Sequence, residues 1–118
     1  MRDNTPMARL TQSYMTGEGT GQLLYETIGA CFDRVATQQA ENTALVVRHQ
    51  GIRWTYGEFR RQVNRLATGL LALGIEPGDR VGVWGPNCYE WVGTQFATAM
   101  IGANRVNVHP AYRLFGVE

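Results

Sequence analysis

The chain contains no lysine, so all eleven of its cations are arginine. It has one serine, Ser13, and two histidines, His49 and His109. These shortages exclude chemistry. A Walker-type phosphate loop ends its glycine run in Lys followed by Ser or Thr, and imine-forming catalysis needs a lysine amine. Neither can be assembled here. A serine triad would have to use Ser13, inside a polar stretch without periodicity. Cysteine is equally sparse. Cys31 and Cys88 fit no metal-ligand spacing, and both lie in or beside apolar helical patterns, as buried free thiols do. A reducing compartment follows, and the expected location is cytoplasmic. The net charge is only +1, so neither nucleic acid nor an anionic membrane is indicated as the main partner. No apolar run approaches the roughly 20 residues that span a bilayer, and no signal-peptide core follows the N-terminal arginines. No catalytic residue and no metal site is expected.

What is present reads as layered α/β structure. Residues 1–20 are polar and aperiodic and are expected to form a flexible leader, with Gly17-Glu18-Gly19-Thr20-Gly21 a linker, because no strand precedes it. Thr27 predicts an N-cap for a helix with Ile28, Phe32, Val35 and Ala36 on one face, ending near Gln39. Ala44–His49 and Ile52–Tyr56 are β-rich runs joined at Gln50-Gly51, a hairpin signal. His49 beside that turn is expected to be exposed and structural. Thr55 and Glu58 have capping-box spacing for a second helix. Its stripe is Phe59, Val63, Leu66, Ala67, Leu70 and Leu73, closed by Gly74, and Arg60, Arg61 and Arg65 fall on a solvated face.

The stretch around which the chain is organised begins at the turn Pro77-Gly78-Asp79. Val81, Val83 and Trp84 predict a strand, Asn87 with Glu90 a capped helix start, and Val92, Phe96, Ala99 and Met100 the helix stripe. Gly102 stops that helix, and Arg105–Val108 predict a second strand parallel to the first. Helix, hairpin, helix and βαβ unit make an α/β layer arrangement. A parallel pair normally has further strands beside it. The chain is therefore expected to be the front portion of a larger domain, with an open sheet edge that favours oligomers.

Ala44-Leu45-Val46, Trp54-Thr55-Tyr56-Gly57-Glu58-Phe59, Leu66-Ala67, Leu70, Gly74 and Gly78-Asp79-Arg80-Val81 follow one another in a distinctive order and spacing. Pro86-Asn87, Glu90, Gly102-Ala103 and Pro110-Ala111-Tyr112-Arg113 complete the pattern. In it, residues 22–118 resemble the N-terminal part of the large domain of the adenylate-forming (AMP-binding) acyl-CoA synthetases. Trp84-Gly85-Pro86-Asn87-Cys88-Tyr89 and Ala97-Thr98-Ala99 are most like the branch acting on medium- and longer-chain fatty acids.

The resemblance implies a fatty acid–CoA ligase. ATP and the fatty acid give an acyl-adenylate and diphosphate, and the CoA thiol then displaces AMP. ATP, Mg and CoA would serve the parent enzyme, while its phosphate loop and adenylation lysine lie downstream of residue 118. The segment 21–118 would then be incomplete scaffold, inactive alone. His109, Pro110, Ala111 and Tyr112 are the candidates for a CoA-channel wall that the resemblance implies, weighed against Asn87 as a mere cap and Tyr112 and Arg113 as turn residues. Asn104-Arg105, His109 and Gly116-Val117 depart from the usual family pattern. The alternatives are a small stand-alone α/β binding module, with a site at the Gly85 and His109 strand ends, or a noncatalytic interaction piece.

Overall fold

A computed structural model of the chain describes residues 17, 19, 21 and 23–112. The expected leader over 1–20 falls almost wholly outside them, as do Arg113 and Gly116–Glu118. The element order is α1 (Ile28–Gln38), β1 (Thr43–Val47), a 3₁₀ turn (Arg48–Gln50), β2 (Ile52–Thr55), α2 (Tyr56–Ala72), β3 (Arg80–Trp84), α3 (Tyr89–Ile101) and β4 (Asn104–Val108). β1 and β2 pair antiparallel, and β3 and β4 pair parallel across α3. The expected hairpin and βαβ unit are both present.

α1 starts at Thr27, whose hydroxyl accepts the Ala30 N–H at 3.2 Å. Phe32 and Ala36 are buried as the spacing predicts, but Ile28 is exposed and Gly29 is buried in its place. The reason is a close helix crossing. A Cβ on Gly29 would sit 3.1 Å from the Met100 Cα and 3.3 Å from the Ala99 carbonyl oxygen.

The hairpin is shorter than its β-rich residues suggest. β1 ends at Val47, and Arg48, His49 and Gln50 curl into the 3₁₀ turn. Gly51, at φ 66°, closes it by donating its N–H to the Arg48 carbonyl, which removes that carbonyl from the strand ladder. His49 is exposed.

α2 has the full capping box: Glu58 N–H donates to Thr55 Oγ1 at 3.2 Å, and Thr55 N–H donates to Glu58 Oε2 at 2.9 Å. Gly74 N–H donates to the Leu71 carbonyl and Ile75 N–H to that of Leu70, a Schellman ending with Gly74 at φ 85°. Leu73, expected on the buried stripe, is 80% exposed because it is already the C-cap. Arg60 also departs from expectation. Rather than lying in solvent, it reaches α1, where Nη2 meets Asp33 Oδ1 at 2.6 Å and Nη1 donates to Thr37 Oγ1.

The core is where the three helices meet. Phe32, Ala36, Phe59, Val63, Ala67 and Ala97 are buried there. Phe32 lies 4.5 Å from Phe96 and 5.4 Å from Phe59, ring centre to ring centre, and Phe59 meets Phe96 edge-on. α3 is the middle layer, with α1 and α2 against one side and β4 against the other. Its buried residues are therefore Gly93, Ala97 and Thr98, while Met100 from the expected stripe is exposed. A helix contacted on two sides does not obey one stripe. Thr98 is buried at no polar cost, since its hydroxyl donates to the Thr94 carbonyl at 2.8 Å.

Candidate functional site

The two parallel strands run in the same direction, and their carboxyl ends open into one cleft. β3 leads into Gly85-Pro86-Asn87 and β4 into His109-Pro110. Together with Trp91, Asn107 and Val108 these residues line a crevice of about 510 Å³. In open α/β sheets ligands collect at such strand ends.

The amino ends are held tightly. Pro77-Gly78 make a turn closed by the Asp79 N–H on the Glu76 carbonyl, with Gly78 at φ 93°. Gly78 N–H then donates to the Gly102 carbonyl at 2.9 Å, and Asn104 N–H to the Asp79 carbonyl at 2.7 Å. The Asn104 side chain adds a bond to the Gly78 carbonyl. This belt sets the register Arg80↔Asn104 through Trp84↔Val108, and hence which residues emerge at the cleft.

Of the four residues expected at a wall, His109 and Pro110 line the cleft. Ala111 and Tyr112 are not among its lining residues; they serve the turn beyond. Tyr112 N–H donates to the His109 carbonyl at 3.0 Å, and Ala111 N–H donates to His109 Nδ1 at 3.1 Å. That second bond makes Nδ1 an acceptor, so the neutral ring carries its proton on Nε2.

Asn87 faces the cleft rather than capping α3. The N-cap is Cys88, which makes no side-chain cap bond. The cap comes instead from the hairpin: Gln50 Oε1 accepts the Tyr89 N–H at 2.8 Å, while Gln50 Nε2 donates to Glu90 Oε2 at 2.9 Å. The Gln50 amide, followed by Glu90's own backbone N–H, holds the Glu90 carboxyl below the usual carboxylate range. A hydrogen bond to Glu90 in turn raises the Tyr89 phenol.

The sequence assigns no site role to Trp91 or Asn107, and to Gln50 only a place in the hairpin turn. Trp91 could have been singled out, because it sits in the first turn of the crossover helix, next to the strand ends. Its ring is backed by Arg105, whose guanidinium carbon lies 4.0 Å from the ring centre.

The lining contains no Asp or Glu. Its polar side-chain groups are two asparagine amides, one imidazole and the Trp91 indole N–H, suited to an acceptor-rich or anionic ligand. There is no nucleophile with a base beside it. Among the described residues no group of His, Cys, Asp and Glu could hold a metal ion, and no helix is long and apolar enough to cross a membrane.

Comparison with known proteins identifies the fold. Residues 32–118 match the family model described as AMP-binding enzyme. The medium-chain acyl-CoA ligase ACSF2, mitochondrial, of Danio rerio is 44% identical over 117 residues, covering 98% of this chain and 19% of that protein. The Bos taurus protein of the same name is 42% identical over 106 residues, covering 90% of this chain and 17% of the relative. A solved fatty acyl CoA synthetase of Mycobacterium tuberculosis superposes on 73% of this chain with a TM-score of 0.70 and 32% identity, over 17% of its own length. The chain thus spans less than a fifth of the length of the curated relatives it matches. It belongs to the AMP-binding enzyme family and corresponds to the N-terminal part of the large domain of the adenylate-forming acyl-CoA synthetases.

Proposed function

We propose that this chain is the N-terminal scaffold of a fatty acid–CoA ligase, with residues 21–118 forming part of its large domain after a leader over 1–20. The whole enzyme would join a fatty acid to CoA through an acyl-adenylate, consuming ATP with Mg and releasing AMP and diphosphate. The observation that carries the reading is the strand-end cleft: a parallel βαβ unit with binding groups at its mouth and no catalytic pair.

These residues do not fit ATP–Mg chemistry by themselves. The chain has no lysine for the phosphates, and the cleft has no carboxylate for a cation. What they can do is bind and orient. Asn87, Asn107 and the His109 Nε2–H present hydrogen-bonding groups, and Trp91 a flat apolar surface, along the wall proposed to face CoA. The expected location remains the cytoplasm. Free thiols at Cys31 and Cys88 suit a reducing compartment, although the vertebrate relatives carry a mitochondrial name.

The test is a diphosphate-release assay with ATP, Mg, CoA and a medium-chain fatty acid. The purified 118-residue chain is expected to release none above the enzyme-free rate. Fatty-acid-dependent turnover by this chain would overturn the scaffold reading.

A further inference from the structure

Arg105 lies in β4, and its surroundings explain what it does there. It pairs with Val81 in the strand register, on the face of the sheet turned toward α3. Its guanidinium carbon lies 4.0 Å over the Trp91 ring. Nη1 is sealed from solvent and has no hydrogen-bond acceptor among the described residues. A buried side-chain nitrogen usually has a hydrogen-bond partner. Arg105 instead lies against an aromatic face, and Trp91 is also a lining residue of the strand-end cleft.

We infer that Arg105 is a positioning residue: stacked on one face of Trp91, it holds the indole in place as a wall of the strand-end cleft. Arginine is suited to this because its planar, weakly hydrated guanidinium covers a ring face, whereas a lysine ammonium is a compact, strongly hydrated charge. The positive charge behind the ring also sets selectivity. It draws on the ring's electron density and disfavours a cation at the cleft, leaving the open surface to neutral or anionic planar groups. The selectivity rests on the reading of the cleft as ligand-facing; the fixing of the ring does not.

The experiment uses the whole 118-residue chain at micromolar concentration, with Arg105→Leu, Arg105→Lys and Trp91→Phe variants. Acrylamide quenching of tryptophan fluorescence reads the ring, Trp91's share being the component that Trp91→Phe removes. CoA titration reads the cleft, and thermal unfolding controls for stability. Arg105→Leu is expected to raise the quenching constant of the Trp91 component and to weaken CoA binding by about threefold to tenfold. Arg105→Lys is expected to restore part of both. If Arg105→Leu does not fold, the lysine variant decides on the same readouts. An unchanged Trp91 component would overturn the inference, as would CoA affinity falling only in step with thermal stability. If the wild-type chain binds no CoA but its Trp91 component still responds to Arg105→Leu, the CoA-wall proposal fails and the positioning role stands.

Discussion

Gln50, in the hairpin turn, and Tyr89, the first residue of α3, are joined by a 2.8 Å bond from the Tyr89 N–H to the Gln50 side-chain oxygen. A helix that lacks its own cap thus borrows one from a residue distant in the sequence. The same amide holds Glu90, so one side chain satisfies both a backbone donor and a carboxylate.

Replacing Gln50 with Ala should therefore cost about 1 kcal/mol, the usual value of a lost N-cap. The loss should also depend on pH. Glu90 has a lowered folded-state pKa, so the stability it contributes is present above its unfolded value and disappears as pH falls through the folded value. Urea titrations at neutral pH and at about pH 3 should show a larger gap between wild type and Gln50→Ala at neutral pH. Equal gaps would mean that only the Tyr89 bond matters.

Two buried glycines make a matched pair. A Cβ on Gly29 would press on the backbone of α3, at 3.1 Å from the Met100 Cα, whereas one on Gly93 would meet only Leu66 Cδ2, at 3.8 Å. Gly29→Ala should therefore destabilise by about 1–3 kcal/mol, because helix backbone cannot step aside. Gly93→Ala should be neutral or stabilising by up to about 1 kcal/mol, as alanine favours a helix interior. Thermal melts of both variants check the contrast, and a reversed order would refute the close-crossing account of α1 on α3.

Phe59 touches Phe32, Phe96 and Trp54 at ring-centre distances of 5.4, 5.6 and 6.4 Å. Phe59→Ala should cost about 3–5 kcal/mol, which is a large share of what a domain of this size possesses. Loss of near-ultraviolet circular dichroism at room temperature would report it. Phe59→Leu, which keeps most of the volume, should retain the signal.

The outer face of the parallel pair carries Trp84 and Val106, 57% and 43% exposed. Apolar sheet surface of this kind promotes association. The chain should show concentration-dependent self-association in sedimentation velocity, and Trp84→Thr with Val106→Thr should shift it toward monomer. A wild-type chain that remains monomeric at high concentration would count against this.

Much of the architecture could be read from short-range signals. Thr55 with Glu58, Thr27, Gly74, Gly102 and Pro77-Gly78-Asp79 each act through bonds to near neighbours, so the residue types alone announce them. The misreadings involve contacts between distant elements. Asn87 looked like a cap, but Gln50 took the position from the hairpin. Arg60 looked solvated, but α1 placed Asp33 and Thr37 within its reach. The α3 stripe missed Gly93 and Thr98, because a helix packed on two sides has no single buried face. At the cleft, the βαβ pattern announced Gly85 and His109, while Trp91 and Asn107 depended on the strand register and helix placement.

The belt joining Gly78, Asp79, Gly102 and Asn104 has a mechanical consequence. It clamps the parallel pair at one end, like the rivet of a fan, while the opposite end continues into the Gly85 and His109 segments. A twist of β3 against β4 would pivot about that rivet, so its displacement would be largest near Trp84 and Val108, at the far end of the ladder. The strand-end cleft lies at that far end. Among the β4 amides that alternate toward β3, hydrogen exchange should accordingly be slowest at Asn104 and faster at Val106 and Val108.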